Sequence, residues 1–224
     1  MPGLFVTATG TDVGKTFVAC ALIRALRARG TAVDAFKPVL SGYVGPEDND
    51  AALLLEALGQ PLSGLDRMSP LRFSAPLAPP SAARAEGKTI EARVLGSLCG
   101  ARLAQSGKAL LVIEGAGGVM SPIAEGTTNL DLIRSLKLPA LLVSGSYLGA
   151  VSHTLTALAA LSIRRLPVAA IVVSQSAGDH PDASEVTSAL AEFAPGIAVL
   201  HAPRAPSWDA AALAERLVKD LALV

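Results

Sequence analysis

Short apolar runs alternate along the chain with longer segments whose apolar positions return every three or four residues. The runs at 4–7, 32–36, 109–113, 140–143, 168–173 and 197–200 predict strands, and the segments at 17–29, 50–58, 90–105, 150–163, 184–193 and 208–221 predict helices. Gly30 closes the first helix, and Arg24, Arg27 and Arg29 gather near its C-terminal end, where the helix dipole favours cations. Gly59 and Pro61 stop the second. The runs 109–113 and 140–143 are apolar at every position, the pattern of strands covered on both faces. Strand and helix in alternation predict an α/β fold in which a mostly parallel, doubly wound sheet lies between two helical layers. No internal repeat and no linker divides the chain, so residues 1–224 are expected to form a single domain.

One stretch breaks the rhythm. Residues 69–88 carry Pro70, Pro76, Pro79 and Pro80 with little periodicity. It reads either as a Pro-rich surface excursion or as a wall of a substrate site, since a long irregular stretch inside a compact domain is often functional.

Composition agrees with a buried sheet: 51% of the 224 residues are apolar, with Ala, Leu and Val far outnumbering aromatics. Nineteen basic residues balance nineteen acidic ones, so there is no electrostatic pull toward nucleic acid or acidic membrane, and neither is expected as a partner. Cys20 and Cys99 lie far apart within helical patterns and read as small core residues rather than a disulfide or metal pair. The N-terminus runs into a strand without a secretion signal, and no apolar run reaches the roughly 18 residues of a membrane span, so a cytoplasmic location is expected.

The strongest chemical signal is Thr9-Gly10-Thr11-Asp12-Val13-Gly14-Lys15-Thr16, which follows a strand and opens a helix. Backbone N–H groups and the helix N-terminus there attract phosphate oxygens. Gly14 permits close backbone approach, Lys15 brings a cation to the β- and γ-phosphates, and Thr16 offers a hydroxyl to Mg²⁺. The first position of the motif is Thr9 rather than glycine. With this loop the expected architecture becomes a three-layer P-loop nucleotide-hydrolase-like fold, and ATP and Mg²⁺ become the expected co-substrate and cofactor.

Three further polar residues are candidates for the site around this loop, two of them at strand ends, where open α/β sheets bind ligands. Lys37 ends the second strand and is either a surface lysine or one aimed at the phosphates. Asp50 precedes an apolar helix beside Asp48 and Asn49; capping accounts for those two, while Asp50 is open between capping and metal binding. Glu114 follows an apolar strand and precedes Gly115-Ala116-Gly117-Gly118. It is either an exposed turn residue or a carboxylate at a buried strand end, which needs a partner; Mg²⁺, a hard cation that takes oxygen ligands, suits it. His153 lies within a helical segment and reads as a satisfied structural histidine.

Taken in order, these segments resemble the dethiobiotin synthetase family. They are 6–16 around the phosphate loop, then Lys37-Pro38-Val39-Leu40-Ser41-Gly42, Asn49-Asp50-Ala51, Ala75-Pro76-Leu77-Ala78-Pro79, Val112-Ile113-Glu114-Gly115-Ala116-Gly117-Gly118, and Leu148-Gly149 ahead of a helix. The resemblance implies an ATP-dependent ligase of biotin synthesis that acts on 7,8-diaminononanoate and CO₂. It implies catalytic roles for Lys37, Lys15 and Thr11, nucleotide contacts from Asp12, Val13, Gly14, Lys15, Thr16, Phe17, Glu114, Gly115, Ala116 and Gly117, and Mg²⁺ ligation by Thr16, Asp50 and Glu114. Substrate contacts would come from Ser41, Lys37, Leu148, Gly149, Ala150 and Val151. It also implies a homodimer with the active site at the interface, the segment 148–153 of one subunit holding the substrate carboxylate beside the partner's phosphate loop.

Two positions depart from the family pattern. After the strand ending at Val173 the family commonly has Asn, which reads adenine, whereas this chain has Ser174-Gln175, with fewer hydrogen bonds to offer at Ser174. Ala202-Pro203-Arg204 aligns loosely with another base-contacting turn, which makes Pro203 a candidate nucleotide contact. Two other classes share the loop: a nucleotide switch like the partitioning ATPases, which usually carry an extra lysine early in the loop where this chain has Gly10 and Thr11, and another ATP-dependent ligase acting on a different acid or amine.

Overall fold

The computed structural model describes residues 1–203 and 208–221. Its centre is a sheet of β1 (Gly3–Ala8), β2 (Val33–Phe36), β5 (Leu110–Glu114), β8 (Ala140–Gly145), β9 (Val168–Ser174) and β10 (Val199–Ala202), in the order β10-β9-β8-β1-β5-β2. Every neighbouring pair is parallel. All six C-terminal strand ends therefore open on one edge. β1 lies between β5 and β8, with β2 beyond on one side and β9 and β10 on the other, so the loop after β1 sits at the middle of that edge.

Alternating positions of β1 feed two cores. Leu4, Val6 and Ala8 face α1 (Lys15–Ala28), α2 (Asp50–Leu58) and α9 (Ala211–Asp220), while Phe5 faces the opposite layer. That second layer holds α5 (Ala92–Ser106), α6 (Asn129–Leu136), α7 (Ala150–Ile163) and α8 (Ala183–Phe193). Cys20 and Cys99 are buried free thiols, one in each core, and burial pushes both up to about 12.

The segment 69–88 is more regular than its prolines suggest. It contains β4 (Leu71–Phe73), paired in parallel with β3 (Val39–Ser41), and α4 (Pro79–Ala85). Pro79 and Pro80 open that helix, where a missing N–H breaks no intrahelical bond. A 3-10 turn (Leu62–Gly64) and α3 (Leu65–Met68) lead into it.

α6 also differs from expectation, since the hydrophobic pattern gives no helix there. It is started by Thr128, whose hydroxyl accepts from the Asp131 N–H while the Asp131 carboxylate accepts from the Thr128 N–H. The hairpin β6 (Pro122–Ala124) and β7 (Thr127–Thr128) precedes it. The last helix begins at Ala211 rather than at 208. Among the described residues, no helix is long and apolar enough to cross a membrane.

Candidate active site at the phosphate loop

Residues 9–14 form the loop between β1 and α1. Asp12 (φ 56°) and Gly14 (φ 95°) take the left-handed conformation, which turns successive N–H groups toward a common centre. Gly14 caps α1 without a side-chain bond, so the first N–H groups of that helix stay available. A Cβ at Gly14 would stand 2.5 Å from Ser174 Oγ, so close packing as well as φ requires glycine. Lys15 is buried and donates to Gly10 O at 3.0 Å, tying the loop closed. Burial, and after it the charge of Lys37, holds the Lys15 ammonium below its ordinary value.

Lys37 is not a surface lysine. It is 2% exposed, and its Nζ donates to Glu114 Oε1 and to Asp50 Oδ2, each at 2.6 Å. Thr16 Oγ1 donates to the same Glu114 oxygen at 2.8 Å. Burial alone would lower the Lys37 ammonium, but the carboxylates of Glu114 and Asp50 outweigh it and raise it to about 12. Asp50 is correspondingly held below the usual carboxylate range, by the Lys37 charge against the opposing effect of burial. Asn49 is the true cap of α2, accepting from Ala52 N at 3.0 Å, which leaves Asp50 free to face the site.

Three cavities meet at this edge. One of about 490 Å³ is lined by Thr11, Lys15, Thr16, Phe17, Lys37, Ser41, Asp50, Ala116 and Gly117 among others. A second of about 580 Å³ shares Thr11, Asp12, Ser41, Ala116 and Gly117 and is walled by residues 76–79. The Pro-rich stretch is thus a wall of the site. The third, about 640 Å³, runs along Asp12, Val13, Gly14, Phe17, Ser174 and Gln175.

Tyr147, Ser176 and His180 line this last cavity as well, and the sequence pattern does not single them out. Tyr147 carries a signal, its place just beyond the end of β8. His180 lies in an irregular loop and carries none. His153 is satisfied as expected, by the Tyr147 hydroxyl 3.0 Å from its Nδ1.

Residues 148–151 do not line these cavities within the chain; Leu148 is 89% exposed and Gly149 caps α7. Pro203 is exposed and lines none of the three, and Arg204 falls outside the described residues.

A parallel sheet with a phosphate-binding loop at its central strand, and a buried lysine between two carboxylates beside it, defines a P-loop nucleotide-binding α/β protein. Two relatives named ATP-dependent dethiobiotin synthetase BioD align along nearly all of it. That of Caulobacter sp. (strain K31) is 52% identical over 99% of this chain and 96% of its own length, and that of Phenylobacterium zucineum (strain HLK1) is 54% identical over 97% and 95%. The chain belongs to the dethiobiotin synthetase family. A family model described as an AAA domain matches residues 2–210. A DUF1611 family protein from Anabaena variabilis shares the fold alone, with a TM-score of 0.53 at 15% identity over 100% of this chain and 57% of that one. The nucleotide-switch alternative gains no support from these relatives.

Proposed function

We propose that this chain is an ATP-dependent dethiobiotin synthetase whose chemistry centres on Lys37. It carboxylates and cyclises 7,8-diaminononanoate with CO₂ and ATP, giving dethiobiotin, ADP and phosphate. One amine adds to CO₂ and loses a proton to become a carbamate. A carbamate oxygen attacks the γ-phosphorus and ADP leaves, forming a carbamic-phosphoric anhydride. The second amine attacks the carbonyl carbon, phosphate departs and the five-membered urea ring closes.

The observation that carries the assignment of roles is the placement of Lys37, buried at the phosphate loop and paired with Asp50 and Glu114. Its ammonium is held charged and has little rotational freedom, which suits stabilisation of the carbamate and the transferring group. Lys15 neutralises charge developing on the phosphates, assisted by Thr11. Asp12, Val13, Gly14 and Phe17 cradle the nucleotide, with Ala116 and Gly117 beside its γ-phosphate, and its base side faces Ser174 and Gln175; Gly115 lies buried behind them and lines neither cavity. Ser41, on the wall shared by two cavities, hydrogen-bonds the carbamate or its neighbouring amine. The substrate supplies the nucleophile, so the protein's task is ordering and electrostatics, and such ordering contributes up to about 7–11 kcal/mol.

Mg²⁺ fits the donors. Glu114 Oε2 is buried with no hydrogen-bond partner, and the neighbouring donors, Thr16 hydroxyl and Asp50 carboxylate, are also oxygens. Thr16, Asp50 and Glu114 would hold the ion, which when bound supplies positive charge to the β- and γ-phosphates. Among the described residues no group of three or more His, Cys, Asp or Glu side chains converges, so water and phosphate would complete its shell. The remaining parts of the reading are a cytoplasmic, single-domain protein that works as a homodimer, with residues 148–151 of one subunit holding the substrate carboxylate in its partner's site. The exposure of Leu148 and the free N-terminus of α7 support that arrangement.

The test is a product assay with 7,8-diaminononanoate, bicarbonate, Mg²⁺ and ATP, read by mass spectrometry for dethiobiotin, with Lys37→Ala alongside. Dethiobiotin from the wild type and its loss in the variant are expected. ATP binding without dethiobiotin from the wild type would refute the reading.

A further inference from the structure

The loop that follows Glu114 has an anchor outside the phosphate motif. Asn129, the first residue of α6, is fully buried. Its Nδ2 donates to Ala116 O at 2.7 Å and to Gly118 O at 2.8 Å, using both amide hydrogens on one loop. Its Oδ1 packs against Gly115 so closely that a Cβ there would stand 2.5 Å from it, and this oxygen has no hydrogen-bond partner. The backbone N–H of Asn129 donates to Ser121 O and that of Leu130 to Val119 O, fixing α6 to the far end of the loop. Both ends are also tied to β1, Gly115 N donating to Val6 O and Val119 N to Ala8 O, along the strand that leads into the phosphate loop.

The loop so held carries Ala116 and Gly117 into both the cavity beside Lys15 and Lys37 and the cavity walled by residues 76–79. None of its residues lines the cavity along Ser174. Burying an amide with an unpartnered oxygen is unfavourable, and the fold retains it where its two donors hold this loop.

We propose that Asn129 is a positioning residue for the synthetase reaction: its side-chain amide clamps residues 115–118 so that the wall between the phosphates and the diamine keeps its shape. This rests on the function proposed above. A carboxylate in the same place cannot donate and would set negative charge against two carbonyl oxygens, so Asn129→Asp is the near-isosteric disruption. Asn129→Ala removes the donors outright. Thr128→Ala is the control, since it weakens the start of α6 without touching the loop carbonyls.

Three readouts separate positioning from general weakening. In Asn129→Asp and Asn129→Ala, kcat/KM for 7,8-diaminononanoate falls by about 10–100-fold, the range for supporting residues around a site. ADP affinity stays within about threefold of the wild type, because ADP lacks the γ-phosphate that Ala116 and Gly117 adjoin, and the base side and Gly14 are untouched. Amide hydrogen exchange quickens at residues 115–119 more than at 10–16. Thr128→Ala lowers the melting temperature with kcat/KM kept within about twofold.

Variants that match Thr128→Ala in kcat/KM and exchange, or that lose ADP affinity in step with activity, overturn the proposal. If neither Asn129 variant folds, Asn129→Ser, which keeps one donor, carries the same comparison. A wild type that makes no dethiobiotin sinks the functional reading, and the exchange and ADP measurements still decide the clamp.

Discussion

Lys37 Nζ and Glu114 Oε1 lie 2.6 Å apart in a place where the lysine side chain is 3% exposed and the glutamate 0%. A charge pair so buried is retained at a desolvation penalty, and removing one partner leaves the other charge stranded. Lys37→Met therefore has two effects. Unfolding free energy falls by about 3–5 kcal/mol, the range for breaking a buried pair. Turnover falls by about 10²–10³ or more, as when a charge-stabilising donor is removed. Urea denaturation and single-turnover product formation separate the two, and a variant with wild-type turnover would remove Lys37 from the chemistry.

The neighbouring pair of Lys37 with Asp50 shapes the pH dependence of stability. Lys37 is raised from 10.5 to about 12, so its contribution is complete below pH 10.5 and is lost as pH climbs through 12. Asp50 is lowered from 3.8, so its contribution is present above pH 3.8 and is lost as pH falls through its depressed value. Urea midpoints measured across pH should fall at both extremes. In Lys37→Met the alkaline decline attributable to this group disappears. An unchanged alkaline limb would mean that other lysines or tyrosines control it.

Much of this architecture is legible in the amino-acid sequence. Strands such as 110–114 and 140–145 announce themselves because both faces are covered and their runs are apolar. The phosphate loop is legible because Gly14-Lys15-Thr16 joins a strand to a helix. α6 is not legible, because it has eight residues and its start signal uses Asp131 in place of the usual Glu or Gln. Asp50 is open between cap and ligand in the sequence because local spacing serves both; its contact with Lys37, thirteen residues away, decides that it faces the site. Glu114 is seventy-seven residues from Lys37, and only the parallel order β2-β5-β1 brings their strand ends together. The roles of residues 148–151 rest on family resemblance, since nothing in the local pattern beyond a helix start marks them.

Gly14 is held by two constraints that a double substitution can separate. Gly14→Ala places a Cβ 2.5 Å from Ser174 Oγ and 2.9 Å from Ser174 Cβ, at a φ of 95°. The strain of a non-glycine residue in that conformation costs about 1–3 kcal/mol, with the contact adding to it. ADP affinity, measured by calorimetry, should drop sharply as the N–H groups turn away. Adding Ser174→Gly removes the contact but not the strain, so recovery should be partial. Full recovery would show that packing alone demands glycine.

Nucleotide choice follows from where the polar groups on the base side are already committed. Gln175 looks suited to read a base, but its Nε2 donates to Pro181 O at 3.2 Å and its Oε1 accepts from Ala183 N at 2.8 Å. Both ends of the amide brace the turn into α8. The Ser146 and Ser176 hydroxyls each accept from the other residue's backbone N–H at 3.0 Å. The Tyr147 hydroxyl is paired with His153, which leaves the hydroxyl of Ser174 and the ring of His180 on the base side of the cavity. A hydroxyl donates or accepts as its neighbour requires, so it penalises no particular base edge. CTP and GTP should therefore support dethiobiotin formation with kcat/KM within about tenfold of ATP, a difference of about 1.4 kcal/mol. Gln175→Leu should raise KM for all three by a similar factor, because it loosens the wall without removing a base contact. A preference for ATP of about 10⁴ or more would require a base-reading group, since that is the scale of discrimination given by a buried hydrogen bond left unmade.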